Sequence, residues 1–465
     1  MFYADKCVSN DKVLKLINKL KELKTELHQF SLCKDGKILV DISPEPYSPF
    51  DKRLVYSVSK SFTSTAVGLC FDKGLIDLKK KIAEYFPDKV TEKTDERILC
   101  LTVHDLLIMH TRIKDIMPEL HNESDPVKAF FSQAPEDVTD EYHYSNSATF
   151  MLSALVNKVS GLSVIDLLNR DFFPYIGVSR CWWQDIEGIS EGYSGFHVSA
   201  RDIALTMQVY LNNGMFSGKR LLSEEWVRLA TSCHISTEND NKFEWWTKGY
   251  GYQFWMNKGD GCRAVGSCGQ NGYIFPSLGV TAGEEGIIKK IDETDDAYRE
   301  FCADFEGEST VKAEDIEKAL KDWYLPYDAT ASEFKGIDKT YDFSESGLPF
   351  DKLSLKDMGE FTLCTLTAGE EITNFCLGNG NWQENKPEFY NFNSKLVVFT
   401  VPKKEKIHFA ACLKADDENK LCAFFRFLDC PLRHEISLTV DGDNAKLRFK
   451  ALDVSVDKEF SGRII

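Results

Sequence analysis

The chain has 465 residues, 43% of them hydrophobic, and carries a net charge of −17. That length suggests two or three domains with material for a sizeable core. The acidic balance argues against nucleic acid as the main partner, because phosphate binding needs a basic surface, and no apolar run is long enough to suggest a transmembrane helix, so no membrane partner is expected.

The first twenty residues, MFYADKCVSNDKVLKLINKL, contain no apolar h-region or small-residue cleavage site, so no signal peptide is expected. Val13, Leu14, Ile17, Leu20 and Leu23 fall at helical spacing and predict a helix over 11–26. HQFSLCKDGKILVDI predicts two strands joined by a turn at Asp35-Gly36. A buried helix follows YSVSK and stops near Lys73-Gly74. Residues 75–140 read as helix and loop, with LTVHDLLIMH as a short helix. ATFMLSALVNKVSG predicts a helix ending at Gly161, and VSARDIALTMQVYLNNG another with a glycine stop. Near 249 the pattern turns to glycine- and aromatic-rich strands, GYGYQFWMN and then CRAVGSCGQNGYIF. Residues 283–327 are charged and read as helical, with 284–321 as a solvated face. Past about 330 the chain turns mostly β: Ile436, Leu438 and Val440 alternate, DGDN turns, and Leu447 and Phe449 alternate again. The expected division is 1–328 and 329–465, with no internal repeat.

Fourteen cysteines are scattered with no CxxC, which in a chain this long reads as reduced thiols in a cytoplasmic protein. No metal is expected: Cys262 and Cys268 make a poor pair, His104 and His110 lie six apart, and no HExxH occurs. No P-loop or dinucleotide fingerprint is present, so no cofactor is expected either.

The chemistry centres on YSVSKSFT, residues 56–63. Ser-x-x-Lys by itself is weak, since the chain holds six such pairs: Ser9/Lys12, Ser31/Lys34, Ser57/Lys60, Ser309/Lys312, Ser332/Lys335 and Ser455/Lys458. Only Ser57 opens a long apolar helix, running through Phe62, Ala66, Leu69 and Cys70. A first-turn serine lies near unsatisfied backbone N–H groups, and a lysine three residues on shares its face. Burial would lower the lysine pKa from its ordinary ~10.4 and make it a base. On the motif alone two readings stand: a nucleophile with its base, or a simple helix start. YHYSN adds Tyr144, which can relay a proton, and Asn146, which can hold the lysine or a substrate carbonyl. The competing reading makes Tyr144 a half-buried aromatic and Asn146 a cap. Tyr210-Leu211-Asn212 repeats the spacing inside a helix and reads as structural. His143 and His197 are weaker candidates to line a pocket, and Trp182-Trp183 and Trp245-Trp246 read as core or rim aromatics.

YSVSKSFTSTAVGL, LTVHDLLIMHT, YHYSN, GFHVSARDIAL with YLNNGMFSGKRLLSEEW, and AVGSCGQNGYIF occur in this order. The set resembles the serine beta-lactamase-like hydrolases: class C beta-lactamases, D-alanyl-D-alanine carboxypeptidases, related esterases and 6-aminohexanoate-dimer hydrolase. The resemblance spans roughly residues 12–328. The tail, with LGNGNWQE and HEISLTVDGDNAKLRF, is similar to β-rich domains appended to some bacterial members. The implied fold is α/β (α+β), an antiparallel sheet with flanking helices and a helical insertion, followed by a mainly-β domain.

The resemblance implies Ser57 as acylated nucleophile, with Lys60 and Tyr144 sharing base and acid work. Its third motif falls at Ala264-Val265-Gly266 on an edge strand, so the Ser57 and Ser267 amides would form the oxyanion hole. Gly266 would let the strand approach substrate. Ala264 stands where that family carries a cation. Arg263 and Arg112 are possible replacements, and Thr111-Arg112 departs from the usual Thr-Ser-Gly turn. The implied activity is therefore esterase- or amidase-like, on a small molecule or short peptide and without a cofactor. Beta-lactamase or D-amino-acid peptidase is the alternative, and a non-catalytic peptide- or cell-wall-fragment-binding protein a further one.

Overall fold

The computed structural model describes all residues except 112–114, 117–122, 134–140, 239–247, 325–333, 388–407 and 452–455. Two compact units emerge: Phe2–Ser43 with Lys52–Ile316, and Met1, Pro44–Asp51 and Glu317–Ile465. The boundary expected at 328 falls within 325–333, outside the described residues.

The larger unit is built on a seven-stranded sheet. In chain order its strands are β1 (Phe2–Ala4), β2 (Glu26–Lys34), β3 (Lys37–Ile42), β4 (Trp255–Met256), β5 (Cys262–Gly266), β6 (Gln270–Phe275) and β7 (Val280–Ile287). Their spatial order is β1-β3-β2-β7-β6-β5-β4, antiparallel throughout. The β2–β3 hairpin turns at Asp35-Gly36 as expected, both with positive φ. Helix α1 (Asn10–Glu22) buries Val13, Leu16, Ile17 and Leu20, stopping short of the expected 26. Of GYGYQFWMN only Trp255 and Met256 form a strand.

Helix α2 (Ser59–Asp72) has buried residues from Ser59 through Cys70, the signature of a helix enclosed on all sides. It packs against α3 (Asn146–Ser160), which ends at Gly161 in the left-handed conformation. Helix α4 (Ala200–Leu211) lies on the sheet. It approaches so closely that a Cβ on Gly283 would sit 1.9 Å from the Ala200 carbonyl oxygen. Tyr210 in α4 bonds Thr65 of α2 at 2.8 Å, a structural role as expected. Among the described residues the cysteines form no disulfide.

The stretch expected to be a solvated helical face is corrected here. β7 is a central strand buried over its full length, and helices occur only at α5 (Ile291–Ala303) and α6 (Ala313–Lys321). Glu284 and Glu285 are fully buried, on opposite faces of the strand. Glu284 accepts from Asn271 Nδ2 and Tyr273 Oη, both at 3.0 Å, and burial followed by the nearby Asp295 pushes its carboxyl up to about 8. Glu285 pairs with buried Arg53 at 3.2 Å.

The smaller unit contains a ten-stranded sheet closed on itself by a parallel pairing of Glu371–Asn379 with Phe409–Asp417. This is the C-terminal β-barrel. His434, Ile436, Leu438 and Val440 are buried along one strand, while Ala445, Leu447, Phe449 and Ala451 are buried along the next. A small cavity of about 30 Å³ lies beside Leu353, Phe375, Phe425 and Leu447, among the side chains that these strands turn inward.

Gly283→Ala should cost roughly 1–3 kcal/mol, because the clash is with backbone that cannot rotate away. The midpoint of urea denaturation, read at unchanged slope, checks it.

Candidate active site

The short strand Arg53–Leu54, paired with Phe196–Val198, feeds a 3₁₀ turn at Tyr56–Val58 that runs directly into α2. Tyr56 adopts φ +46°, an uncommon conformation for a residue without special turn chemistry. The neighbouring hydroxyls are committed to structure. Ser59 Oγ accepts from the Phe196 N–H at 3.3 Å, Ser61 donates to the Gln253 carbonyl at 2.7 Å, and Thr63 donates to that of Gly192 at 2.9 Å. Ser57 is different. Its Oγ lies 3.0 Å from Lys60 Nζ, and neither the turn nor the helix uses a side-chain cap.

Lys60 is 2% exposed. Its Nζ donates to Asn146 Oδ1 at 2.8 Å and to the Tyr193 carbonyl at 2.9 Å, besides its contact with Ser57. Burial draws its pKa from the ordinary 10.5 down to about 7, against an opposing pull from Asp115. The amine stands 4.7 Å from the centre of the Tyr144 ring, which stacks on Trp255 with centroids 6.2 Å apart. Tyr144 is thus beside the lysine and half-buried. The cap of α3 is Ser145, whose Oγ accepts from the Ala148 N–H at 3.1 Å, and not Asn146.

β5 carries the third motif. β4 pairs only with Cys262 and Arg263, so among the described residues no strand covers the outer side of Ala264–Gly266. A Cβ on Gly266 would lie 2.3 Å from the Val55 carbonyl oxygen. The glycine is therefore also required by the turn that carries Ser57. Ser267 follows at the head of the β5–β6 turn, its carbonyl accepting from Gln270 Nε2 at 3.3 Å. Ala264 is fully buried and leaves its position apolar. Arg263 cannot stand in for the missing cation: alternation turns it to the other face, where it is buried and ion-paired with Asp295. Arg112 lies outside the described residues.

The remaining candidates separate. His197 is buried and stacks on Trp182, centroids 3.5 Å apart, a packing role. Trp183 is core, its Nε1 donating to the Ser194 carbonyl at 2.6 Å, while Trp245-Trp246 lie outside the described residues. His143 is half-buried, its backbone N–H held by Met109. Of the rival Ser-x-x-Lys serines, Ser9 donates to the Glu308 carbonyl, Ser31 donates to Asp41 and Ser309 accepts from the Asn10 N–H. Ser332 and Ser455 fall outside the described residues. Two participants escaped the sequence reading. Tyr193 contributes a carbonyl, which no side-chain pattern reports. Asp115 accepts from Asn146 Nδ2 at 2.8 Å and from the Ser147 N–H at 2.9 Å.

A family model described as Beta-lactamase matches residues 28–283, a span that holds Ser57, Lys60, Asp115, Tyr144, Asn146, Tyr193 and Ser267. The chain is 24% identical over 290 residues to a 6-aminohexanoate-dimer hydrolase from Paenarthrobacter ureafaciens, covering 56% of this chain and 74% of that protein. Among solved structures it is similar to EstCE1, a hydrolase with promiscuous acyltransferase activity, at 12% identity and TM-score 0.52 over 62% of this chain and 98% of that one. EstA from Arthrobacter nitroguajacolicus Rue61a matches at 15% identity and TM-score 0.51, over 65% and 99%. A family VIII carboxylesterase matches at 15% and 0.50, over 65% and 100%. These structural likenesses show the fold.

The Lys60 amine should titrate near pH 7, well below the ordinary lysine value of 10.5. NMR of ¹³C-lysine-labelled protein, with the signal assigned by its loss in Lys60→Arg, reads this directly; a midpoint among the bulk lysines would contradict the burial argument.

Proposed function

Because the chain belongs to the beta-lactamase family, whose matched curated relative is a hydrolase, we propose that it is a serine hydrolase cleaving esters or amides through an acyl-Ser57 intermediate. One observation carries the reading: the buried amine of Lys60 has two fixed acceptors, Asn146 Oδ1 and the Tyr193 carbonyl, and a third neighbour in Ser57 Oγ. A neutral amine has two N–H bonds and one lone pair. With both N–H groups committed to atoms that only accept, the lone pair faces the Ser57 hydroxyl.

Ser57 Oγ attacks the substrate carbonyl as its proton moves to Lys60 Nζ. The resulting oxyanion is held by the Ser57 and Ser267 amides, beside Gly266. Collapse breaks the ester or amide bond, and the leaving group takes the proton back from the lysine by way of Tyr144. Water then adds to the acyl carbon with Lys60 again accepting a proton, and collapse releases the acid as Lys60 returns that proton to Ser57 Oγ. The neighbouring Lys60 ammonium would stabilise Tyr144 as a proton carrier. Ala264 offers no charge to a substrate carboxylate, which favours small neutral esters and amides over beta-lactams and peptide C-termini. Residues 1–328 would carry this chemistry, with 329–465 an appended domain.

A serine-reactive phosphonate should add one equivalent on the YSVSK segment, and Ser57→Ala should abolish both labelling and turnover of a short activated ester. Lys60→Ala should slow acylation by roughly 10²- to 10⁴-fold. Label on Ser59, Ser145 or Ser267 would assign the wrong serine here, and efficient cephalosporin turnover would displace the esterase reading.

The pH dependence has a definite sign. The base must be neutral, so kcat/KM should be lost as pH falls below about 7 and level off above it. An acid limb near the carboxylate range would implicate another base.

A further inference from the structure

An asparagine can turn either end of its amide toward a lysine, and only one end serves a base. If Asn146 presented Nδ2 to Lys60, that N–H would take the amine's lone pair and leave none for Ser57. Asn146 has no charge of its own to choose between the two. Asp115 makes the choice. Its carboxylate is acceptor-only when ionised. Oδ2 receives Asn146 Nδ2 at 2.8 Å, and Oδ1 is held by the Ser147 N–H at 2.9 Å, at the start of a fifteen-residue helix where backbone donors lack intrahelical partners. With Nδ2 committed there, Oδ1 of Asn146 must face Lys60, as observed at 2.8 Å.

Resting on the Ser57–Lys60 reading, we infer that Asp115 is a positioning residue that locks the Asn146 amide so that the lysine lone pair is reserved for Ser57. The same carboxylate also acts by charge, favouring the ammonium against the burial that opposes it. The groups facing the amine are Ser57 from the 3₁₀ turn, Tyr144 and Asn146 from the approach to α3, Asp115, and Tyr193 with nearby Glu191 from the segment before Phe196. Among these, Asp115 is the carboxylate whose charge raises the Lys60 pKa. Asp115 thus links two properties of the base, its direction and its titration point.

The two effects separate by substitution in the full chain. Asp115→Asn keeps the shape and an acceptor for Asn146 but removes the charge. The Lys60 midpoint, read by ¹³C-lysine NMR, should fall by roughly half to one pH unit. Asp115→Ala removes the acceptor as well, and kcat on an activated ester should drop about tenfold with KM within about twofold, the mark of an interaction felt in the transition state. Asp115→Glu should recover most of the kcat. A carboxylate that only capped α3 would lower the melting temperature in all three variants while kcat of the folded fraction stayed at the wild-type value. The titration is repeated in Ser57→Ala, so a wrong nucleophile, seen as turnover surviving in that variant, is told apart from a wrong role for Asp115. A wild-type kcat in Asp115→Ala would overturn the inference, and a Lys60 midpoint unmoved in Asp115→Asn would remove the charge effect from it; if Asp115→Ala does not fold, Asp115→Leu, similar in size and without an acceptor, is read for kcat in its place.

Discussion

Moving the Lys60 amine out of water is the constraint from which the rest of the site follows. An ammonium deprived of solvent loses several kcal/mol of hydration, and the amine responds by releasing its proton more readily, near 7 in place of 10.5. The surroundings limit that response without cancelling it. Neutral acceptors, the Asn146 oxygen and the Tyr193 carbonyl, satisfy the N–H groups, and the Tyr144 ring lies beside them. A carboxylate in direct contact would have restored the ammonium. Asp115 is kept one residue away, behind Asn146, where its charge is felt in weakened form.

Burying the lysine requires burying its helix. α2 is enclosed from Ser59 to Cys70, so its polar groups turn to partners inside the protein: Lys60, Ser61 and Thr63 donate to backbone carbonyls of surrounding segments. Those bonds hold the helix from several directions at once. The close approach of β5 at Gly266 to the Val55 carbonyl then ties the sheet to the turn that carries Ser57. The position of Ser57 is consequently set by backbone on three sides: the strand before it, the helix after it and β5 beside it.

The opposite face of the sheet shows the same physics put to structural use. Arg263, Asp295, Tyr273 and Glu284 form a buried polar cluster with an ion pair at its centre. Its burial leaves Glu284 with a raised pKa, yet it lies across the sheet from Ala264 and Gly266. Perturbed titration alone therefore does not mark a site in this protein; a perturbed group beside a nucleophile does.

Periodicity sufficed to read α1 and the alternating barrel strands, because each buries one face and displays its pattern locally, while turn and glycine residues marked the β2–β3 hairpin and the ends of α3 and α4. The order of five short segments pointed to the family, and YSVSK with YHYSN named Ser57, Lys60, Tyr144 and Asn146. What misled was charge: Glu284 and Glu285 looked solvated, since a sequence shows a carboxylate but not the tyrosine or arginine that will meet it across a sheet. Arg263 was ambiguous for a related reason, as a neighbour in sequence to Ala264 points to the opposite face of a strand. Residue types are local properties and the sequence determined them. Direction, partnership and exclusion of water depend on segments far apart in the chain, so only the tertiary structure decided that Lys60 is buried, that Tyr193 offers it a carbonyl and that Asp115 stands behind Asn146.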